Sequence, residues 1–117
     1  MNSFELMKKA VNAADDRKAI DISVLHVEPL TTLCDYFVIC SGTSAPHVNA
    51  IYEEIDEKLS EMGVYPASRQ GVGNPGWVLL DYGDVIVHIF NESSREFYSI
   101  ERLWSDAEQI NVEKLTD

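Results

Sequence analysis

Basic residues are scarce in this chain. Nine Lys and Arg stand against twenty Asp and Glu, which leaves a formal net charge of −11 at pH 7. Nucleic-acid binding draws its affinity from cations that meet phosphates, and the cations here, among them Lys8-Lys9, Arg17-Lys18 and Arg69, are scattered. Direct binding of nucleic acid is therefore disfavoured. An acidic surface instead steers a protein toward a basic protein partner, although most acidic proteins use their charge only to stay soluble.

Cysteine is rarer still. Cys34 and Cys40 are the only two, and on one extended segment they would lie about 20 Å apart at ~3.3 Å per residue, beyond the reach of a disulfide. Free thiols fit a reducing compartment. No Cys-x-x-Cys and no paired histidine spacing supports zinc, so we expect no metal and no other cofactor.

Long apolar runs are also missing. No stretch approaches the ~20 residues that span a bilayer, and Met1–Glu5 lacks the basic-then-apolar layout of a secretion signal. We therefore expect a cytoplasmic protein. With 117 residues, 45% of them hydrophobic, the chain has room for one compact domain with a real core and no room for two.

The strongest local pattern is a β-hairpin between Gly76 and Phe90. Two runs rich in β-branched and aromatic residues flank Tyr82, Gly83 and Asp84. A two-residue loop, either Tyr82-Gly83 or Gly83-Asp84, sorts the strand side chains into two faces. The aliphatic face comprises Val78, Leu80, Val85, Val87 and Ile89. The mixed face comprises Trp77, Leu79, Asp81, Ile86, His88 and Phe90.

The mixed face is too hydrophobic for an ordinary solvated surface and too polar for a plain core. The pattern favours two interpretations about equally: the face is a second core layer with a satisfied polar pair, or it is a surface that another macromolecule covers. Asp81 shares this face with His88 and is placed to accept its N–H. Tryptophan is enriched in interface hot spots, and the sequence favours an interface position and a core position for Trp77 about equally. The residues expected to contact a partner are Trp77, Leu79, Asp81, Ile86 and His88, with Gln70 and Gly71 at the rim.

The first half of the chain predicts two helices and two strands. An Asn2/Glu5 capping box and helical spacing from Phe4 to Ala14 indicate a helix over residues 3–15. Strands follow at 20–27 and 36–40, the second apolar enough to be covered on both faces. Thr43 or Ser44 caps a second helix whose stripe is Val48, Ile51, Ile55, Leu59 and Met62, with Gly63 at its end.

The second half predicts three strands and a helix. A third strand is expected over 64–69, then a mobile Gly-rich loop over 70–76, then the hairpin. A Ser93/Glu96 capping box begins a last helix with Phe97, Ile100, Leu103 and Trp104 on its apolar side. Residues 107–117 have weak periodicity and are expected to be frayed. The order predicts an α/β domain with a mixed sheet of about five strands, and the helix between strands two and three suits a crossover between parallel strands.

Three motifs in this chain resemble the iojap-like proteins, the ribosomal silencing factors. The motifs are Trp77 to Phe90; Asp35-Tyr36-Phe37-Val38-Ile39-Cys40-Ser41-Gly42-Thr43-Ser44, with His47-Val48 and Ala50-Ile51 after it; and Arg95-Glu96-Phe97-Tyr98, followed by Leu103-Trp104. The resemblance covers about residues 4 to 106, which it marks as the family domain, with 107–117 as a C-terminal tail. Gln70-Gly71 stands where the family pattern has a Glu-Gly pair, so an acidic role there is not carried over.

The resemblance implies both a fold and a function. The fold is an α/β sheet with a nucleotidyltransferase-like layout but without catalytic carboxylates. The function is binding of the large ribosomal subunit through its ribosomal protein fourteen, which sterically blocks joining of the small subunit and represses translation when nutrients are scarce. The same family is linked to biogenesis of the large subunit. The acidic composition is compatible with this partner, because ribosomal proteins are commonly basic.

An enzymatic reading finds little chemistry in the residues. Ser41–Ser44 lies between a strand and a helix N-terminus, where N–H groups can hold an anion, but capping alone explains its hydroxyls. A lone strand histidine such as His88 is more often a hydrogen-bonded structural or interface residue, and neither a catalytic triad nor a carboxylate set for Mg²⁺ is evident. A nucleotidyltransferase-like enzyme is therefore the weaker alternative. A self-association module is a third reading, because an apolar face can equally pair with a second copy as a homodimer.

Overall fold

The computed structural model describes residues 1–74 and 76–116. In this part of the chain the strands form one β-sheet, and the helices pack against it. The helices and strands, in chain order, are α1 (Ser3–Asp16), β1 (Ile20–His26), β2 (Tyr36–Gly42), α2 (Ala45–Ser60), β3 (Ser68–Gln70), β4 (Trp77–Asp81), β5 (Val85–Asn91), α3 (Glu92–Tyr98), α4 (Ile100–Leu103) and β6 (Glu108–Ile110), followed by a 3₁₀ turn (Val112–Lys114). The predicted α/β class is confirmed.

The sheet is mixed and has the strand order β3-β4-β5-β2-β1-β6. Its centre is the parallel pair β2 and β5, and the remaining neighbours are antiparallel. The described residues thus form six strands where about five were expected. The helix α2 leads from β2 to β3, which lies at the sheet edge, so the parallel neighbour of β2 is β5 and not the strand that α2 enters.

Two long helices cover one side of this sheet. The side chains of Asn2 and Ser44 cap α1 and α2, each accepting a hydrogen bond from a backbone N–H in the first turn, at 2.8 and 3.2 Å. Both helices contact each other and the central strands β2 and β5. Their apolar stripes pack on the aliphatic face of the hairpin, whose residues are no more than 2% exposed. This side forms the larger core.

The other side of the sheet carries a smaller core. It comprises Leu25, Val27, Cys34, Phe37, Ile39 and Phe90, with Trp77, Ile86, Ile100, Trp104 and Ala107 packed against it. Consecutive residues of β2 alternate between the two cores, Phe37 and Ile39 on this side and Val38 and Cys40 on the other. The expectation that this strand is covered on both faces is therefore confirmed.

The third strand is shorter and later than predicted. It spans Ser68–Gln70, not residues 64–69. Pro66 stands inside the predicted segment, and a proline has no N–H to give to a ladder. Backbone pairing resumes at Ala67, whose N–H donates to the carbonyl of Asp81 at 2.7 Å. Pro75 of the following loop lies outside the described residues.

The segment after the hairpin differs from prediction in two ways. The helix cap is Asn91, whose side chain accepts from the N–H of Ser94 at 2.8 Å, so Ser93 lies inside the helix. The helix also stops at Tyr98, because Ser99 takes a left-handed conformation with φ 48° and ψ 51° before α4 begins. Phe97 and Leu103, expected on an apolar helix side, are 80% and 74% exposed.

The expectation of a frayed end is wrong for residues 107–116. β6 pairs antiparallel with β1, with Val24 opposite Ile110. Leu115 is buried in the larger core, and its carbonyl accepts a hydrogen bond from the side-chain amide of Asn12 in α1 at 2.9 Å. Asp117 lies outside the described residues.

Candidate functional site

The hairpin turn determines which residues share the mixed face. Tyr82 N–H donates to the carbonyl of Val85 at 2.9 Å, so the loop is Gly83-Asp84, one of the two predicted choices. Gly83 has φ 85°, a conformation that favours glycine. The ladder then pairs the mixed-face residues with one another: Trp77 with Phe90, Leu79 with His88, and Asp81 with Ile86. The sorting of the hairpin into two faces is confirmed.

The edge strand β3 extends this face by one residue. Gln70 pairs directly with Leu79, and paired residues place their side chains on the same face. Its neighbour Arg69 lies on the opposite face, where its guanidinium binds both carboxylate oxygens of Asp56 in α2 at 3.1 Å. Gln70 is exposed, as expected for a rim residue.

Gly71 has a steric role at the same edge. Its φ is 76°, and a Cβ added there would lie 2.1 Å from the carbonyl oxygen of Trp77. Only glycine allows the backbone after β3 to approach the start of β4 this closely. Gly71 is exposed and adjoins Gln70, so the two predicted rim residues do lie beside the mixed face.

One end of the mixed face is covered and the other is not. Residues 92–104, the arm formed by α3 and α4, place the ring of Tyr98 4.5 Å from that of Trp77 and the ring of Trp104 5.2 Å from that of Phe37. Phe90 beneath them is fully buried. Leu79, Asp81 and Ile86, nearer the hairpin turn, stay half-buried. The core-layer interpretation is confirmed for the covered end of this face.

His88 is a buried residue whose hydrogen bond differs from the prediction. Its Nδ1 accepts from the indole Nε1–H of Trp77 at 3.2 Å. Asp81, the predicted partner, instead accepts the N–H of Gly83 through its Oδ1 at 2.8 Å. The turn lies two residues away from Asp81, and short Asx contacts of this kind compete well with longer ones.

Burial determines the protonation state of His88. The side chain is 5% exposed, and desolvation lowers its pKa from 6.5 to about 4. With Nδ1 acting as acceptor, the neutral ring carries its proton on Nε2, which has no hydrogen-bond partner among the described residues. The ring stands edge-to-face with Phe37 at 5.2 Å. A neutral, enclosed imidazole of this kind is suited to packing and not to proton transfer at neutral pH.

Trp77 lies at the boundary between the two halves. Its ring is half-buried against Phe90 at 5.0 Å and His88 at 5.8 Å, with Tyr98 on the arm side. The indole N–H is already used by His88. A partner that covered the open half would therefore meet the edge of a tryptophan that its neighbours already hold in place.

Carboxylates surround the turn end of the mixed face. Burial, followed by the nearby charges of Asp35, Asp81 and Asp84, raises the pKa of the Cys34 thiol to about 11. The N–H of Asp35 also donates to the carbonyl of Asp84 at 2.7 Å. Leu33, 82% exposed, precedes this cluster in the chain. The open half of the face thus combines apolar side chains with a negative rim.

Sequence reasoning missed Phe97, Tyr98, Leu103 and Leu33 as surface residues. All four are between 44% and 82% exposed. The ring of Phe97 contacts Tyr98 at 5.1 Å and so continues the aromatic surface that begins at Trp77. The apolar character of all four was visible in the sequence. The pattern gave no sign that the helix would break at Ser99, beside Phe97, Tyr98 and Leu103, or that Leu33 would be exposed.

The other candidate chemistry is occupied by structural contacts. Ser44 caps α2, and the N–H of Thr43, which an anion would need, donates to Nδ1 of His47 at 2.9 Å. Nε2 of His47 lies 2.8 Å from the carbonyl oxygen of Arg17. Within residues 1–74 and 76–116, no group of three or more His, Cys, Asp or Glu side chains is arranged to hold a metal ion. None of the helices in these ranges is long and apolar enough to cross a membrane.

Comparison with known proteins gives consistent matches over the whole chain. The family model described as "Ribosomal silencing factor during starvation" matches residues 1–117. A ribosomal silencing factor RsfS from Bacillus subtilis is 41% identical over 107 residues, which cover 92% of this chain and 91% of that protein. Another from Halalkalibacterium halodurans is 38% identical over 113 residues, 97% of each chain.

A solved structure agrees in fold. The crystal structure of a protein from Chromobacterium violaceum superposes with a TM-score of 0.87 at 36% identity, covering 90% of this chain and 88% of the other. The six-stranded sheet and its helices are therefore an arrangement already known from experiment.

Proposed function

Because this chain belongs to the family of ribosomal silencing factors, we propose that it represses translation by binding the large ribosomal subunit through ribosomal protein fourteen of that subunit. A domain bound there blocks joining of the small subunit. The same contact with free large subunits gives the protein a place in their maturation. The family comprises translation regulators and not enzymes, so the nucleotidyltransferase alternative is set aside.

The observation that carries the proposal is the open half of the mixed face. Leu79, Asp81 and Ile86 are half-buried although they belong to a sheet whose other side is sealed by two helices. A partly exposed strip of apolar side chains with aromatic neighbours is typical of a protein interface. The partner-contacting residues we propose are Trp77, Leu79, Asp81 and Ile86 of the mixed face, with Gln70 and Gly71 at its rim. The enclosed His88 contributes to this surface by binding the Trp77 indole N–H.

Charge supports a basic protein as the partner. The chain carries a net charge of −11, and Asp35, Asp81 and Asp84 gather at the end of the mixed face. Complementary charge raises the rate of encounter and selects the partner more than it raises affinity. The same field repels phosphate, so contact through a ribosomal protein is favoured over contact through ribosomal RNA.

The dimensions of the domain support a steric mechanism. It measures 34 × 33 × 27 Å along its principal axes. A rigid body of this thickness, seated on the surface where the subunits meet, keeps them apart without any chemical step. Repression then depends only on occupancy, and it ends when the factor dissociates. We propose that this occurs in the cytoplasm, where subunits assemble.

The test is sedimentation of the protein with purified large subunits through a sucrose gradient. Wild type is expected to co-migrate with large subunits and to be absent from whole ribosomes. Leu79→Glu places a charge in the open apolar strip and should abolish co-migration while leaving the melting temperature within a few degrees of wild type. Met62→Glu adds the same charge at a 44% exposed residue after α2, and binding should persist.

Two results would contradict the proposal. Wild type that migrates only as free protein at low salt removes the ribosome as partner. Leu79→Glu that binds as well as Met62→Glu shows that the mixed face is not the contact surface. Sedimentation of the protein alone measures self-association through the same face, and a dimer lost in Leu79→Glu identifies a second copy as a competing occupant.

A further inference from the structure

Arg95 opens a sequence motif that the proposed contact surface does not use. It lies in α3, and its side chain is 14% exposed. Nη1 donates to the carbonyl of Ile20 at 3.3 Å and to Oγ of Ser41 at 3.0 Å. Ile20 and Ser41 pair with each other in β1 and β2. One side of the guanidinium therefore binds the ends of β1 and β2 beside which the arm begins.

The other side of the guanidinium binds within the arm itself. Nε and Nη2 donate to the two carboxylate oxygens of Glu101 at 3.0 and 3.2 Å, a bidentate fork. Glu101 lies in α4, beyond the left-handed residue Ser99. Arg95 thus joins the two short helices across the point where the chain changes direction.

The apolar contacts of the arm are made by partly exposed residues, of which Ile100 and Trp104 pack against the smaller core. Neither α3 nor α4 contributes a fully buried residue. An open pocket of about 550 Å³ lies beside Arg95, and its lining includes Asp21, Ser41, Glu96 and Arg102. The hydrogen bonds of Arg95 connect the sheet, α3 and α4 at one point. Charge-assisted hydrogen bonds of low exposure are among the stronger polar interactions in proteins.

The placement of the arm matters for the mixed face. The arm carries Tyr98, which lies against Trp77, and Trp104, which lies against Phe37. A shift of either helix would remove these rings and change how much of the face is open. The arm also presents Phe97 and Leu103 to solvent beside the same face.

We propose that Arg95 is the positioning residue of the partner surface: by joining β1, β2, α3 and α4 it keeps the arm where Tyr98 and Trp104 complete the mixed face. This inference rests on the proposed function, since it assigns the arm to that binding surface. It predicts that Arg95 affects binding without touching the partner.

The test combines hydrogen exchange with binding. Arg95→Gln should lower the exchange protection of amides in residues 95–104 about tenfold while β2 and β5 keep theirs, and large-subunit affinity should fall about tenfold. Arg102→Gln is the matched control, because it removes the same charge from an exposed residue of the same arm, and both readouts should match wild type. Arg95→Lys keeps the charge without the planar fork and should restore binding in part.

Three results would overturn the inference. Unchanged exchange in the arm of Arg95→Gln means that other contacts hold it. A loosened arm with unchanged affinity, while Leu79→Glu abolishes binding, means that the arm is not part of the surface although the proposed function stands. Unchanged affinity in Leu79→Glu means that the mixed face is not the contact surface, and the positioning role falls with it although binding to the large subunit stands. Where Arg95→Gln does not fold, Glu101→Gln breaks the same fork and is read by the same criteria.

Discussion

The two faces of the hairpin differ in how completely they are buried. Leu80 and Leu79 are neighbours in β4, yet Leu80 is fully buried under α1 and α2 while Leu79 stays half-exposed on the other side. The difference comes from what covers each face: two helices of 14 and 16 residues on one side, and on the other an arm of 7 and 4 residues that reaches half-way. The aliphatic face holds the fold together, and the mixed face is left available.

The largest expected effect sharpens this contrast with two adjacent substitutions. Leu80→Ala should lower the free energy of unfolding by about 4 kcal/mol, because it leaves a cavity in a closely packed core. Leu79→Ala should cost only about 1 kcal/mol, since its side chain is already partly exposed to water. Urea denaturation at 25 °C measures both. Equal costs would mean that the two faces are equally sealed.

The next effect is confined to the mixed face and depends on pH. His88 has a pKa of about 4 in the folded state against 6.5 for the unperturbed group. Between these values the unfolded chain binds a proton that the folded chain does not, so the free energy of unfolding falls as the pH drops from about 6.5 toward 4 and is level above that. The loss should reach about 3 kcal/mol.

A variant without the titrating group isolates this contribution. His88→Gln offers a neutral acceptor for the Trp77 N–H, and its stability should decline less between pH 7 and pH 4 than that of wild type. Denaturation at a series of pH values gives the difference between the two proteins. Parallel curves would show that His88 can be protonated in the folded state at little cost.

The smallest expected loss of stability comes from a substitution after the edge strand β3. Gly71→Ala should cost about 2 kcal/mol, because the added Cβ meets the Trp77 carbonyl oxygen and the residue has φ 76°. Gly73 has φ 88° but nothing within 4 Å of a Cβ, so Gly73→Ala should cost about 1 kcal/mol from its backbone alone. Thermal unfolding of the pair separates the steric part from the conformational part. Equal costs would mean that β3 and β4 move apart freely.

The sequence predicted best where the determinants are local. Gly83 and the alternation of residues between the two faces on either side of it specify the hairpin register. The observed two-residue loop, Gly83-Asp84, agrees with both. The helices α1 and α2 follow from apolar stripes with Asn2 and Ser44 at their caps. These signals lie within one element, so no knowledge of distant neighbours is needed to read them.

Prediction failed where a distant neighbour decides. Glu108–Ile110 has no strand pattern of its own and is a strand because β1 offers it an edge. The apolar stripe around Phe97 and Leu103 does not predict where the helix ends. The helix ends at Tyr98 because Ser99 adopts a left-handed conformation. His88 was matched with Asp81 because they share a face, but the nearby turn binds Asp81 and leaves the indole of Trp77 as donor.

The path of the chain through the sheet has a consequence for how the protein folds. The central strand β2 has β5 beside it, β1 is completed by β6, and Leu115 packs against the first helix. Residues 3–26, which form α1 and β1, therefore cannot complete their packing until residues 108–115 are also available, and long-range pairing of this kind is slow to form. We expect the domain to fold as one unit and not segment by segment along the chain, so its binding surface forms only together with the whole sheet.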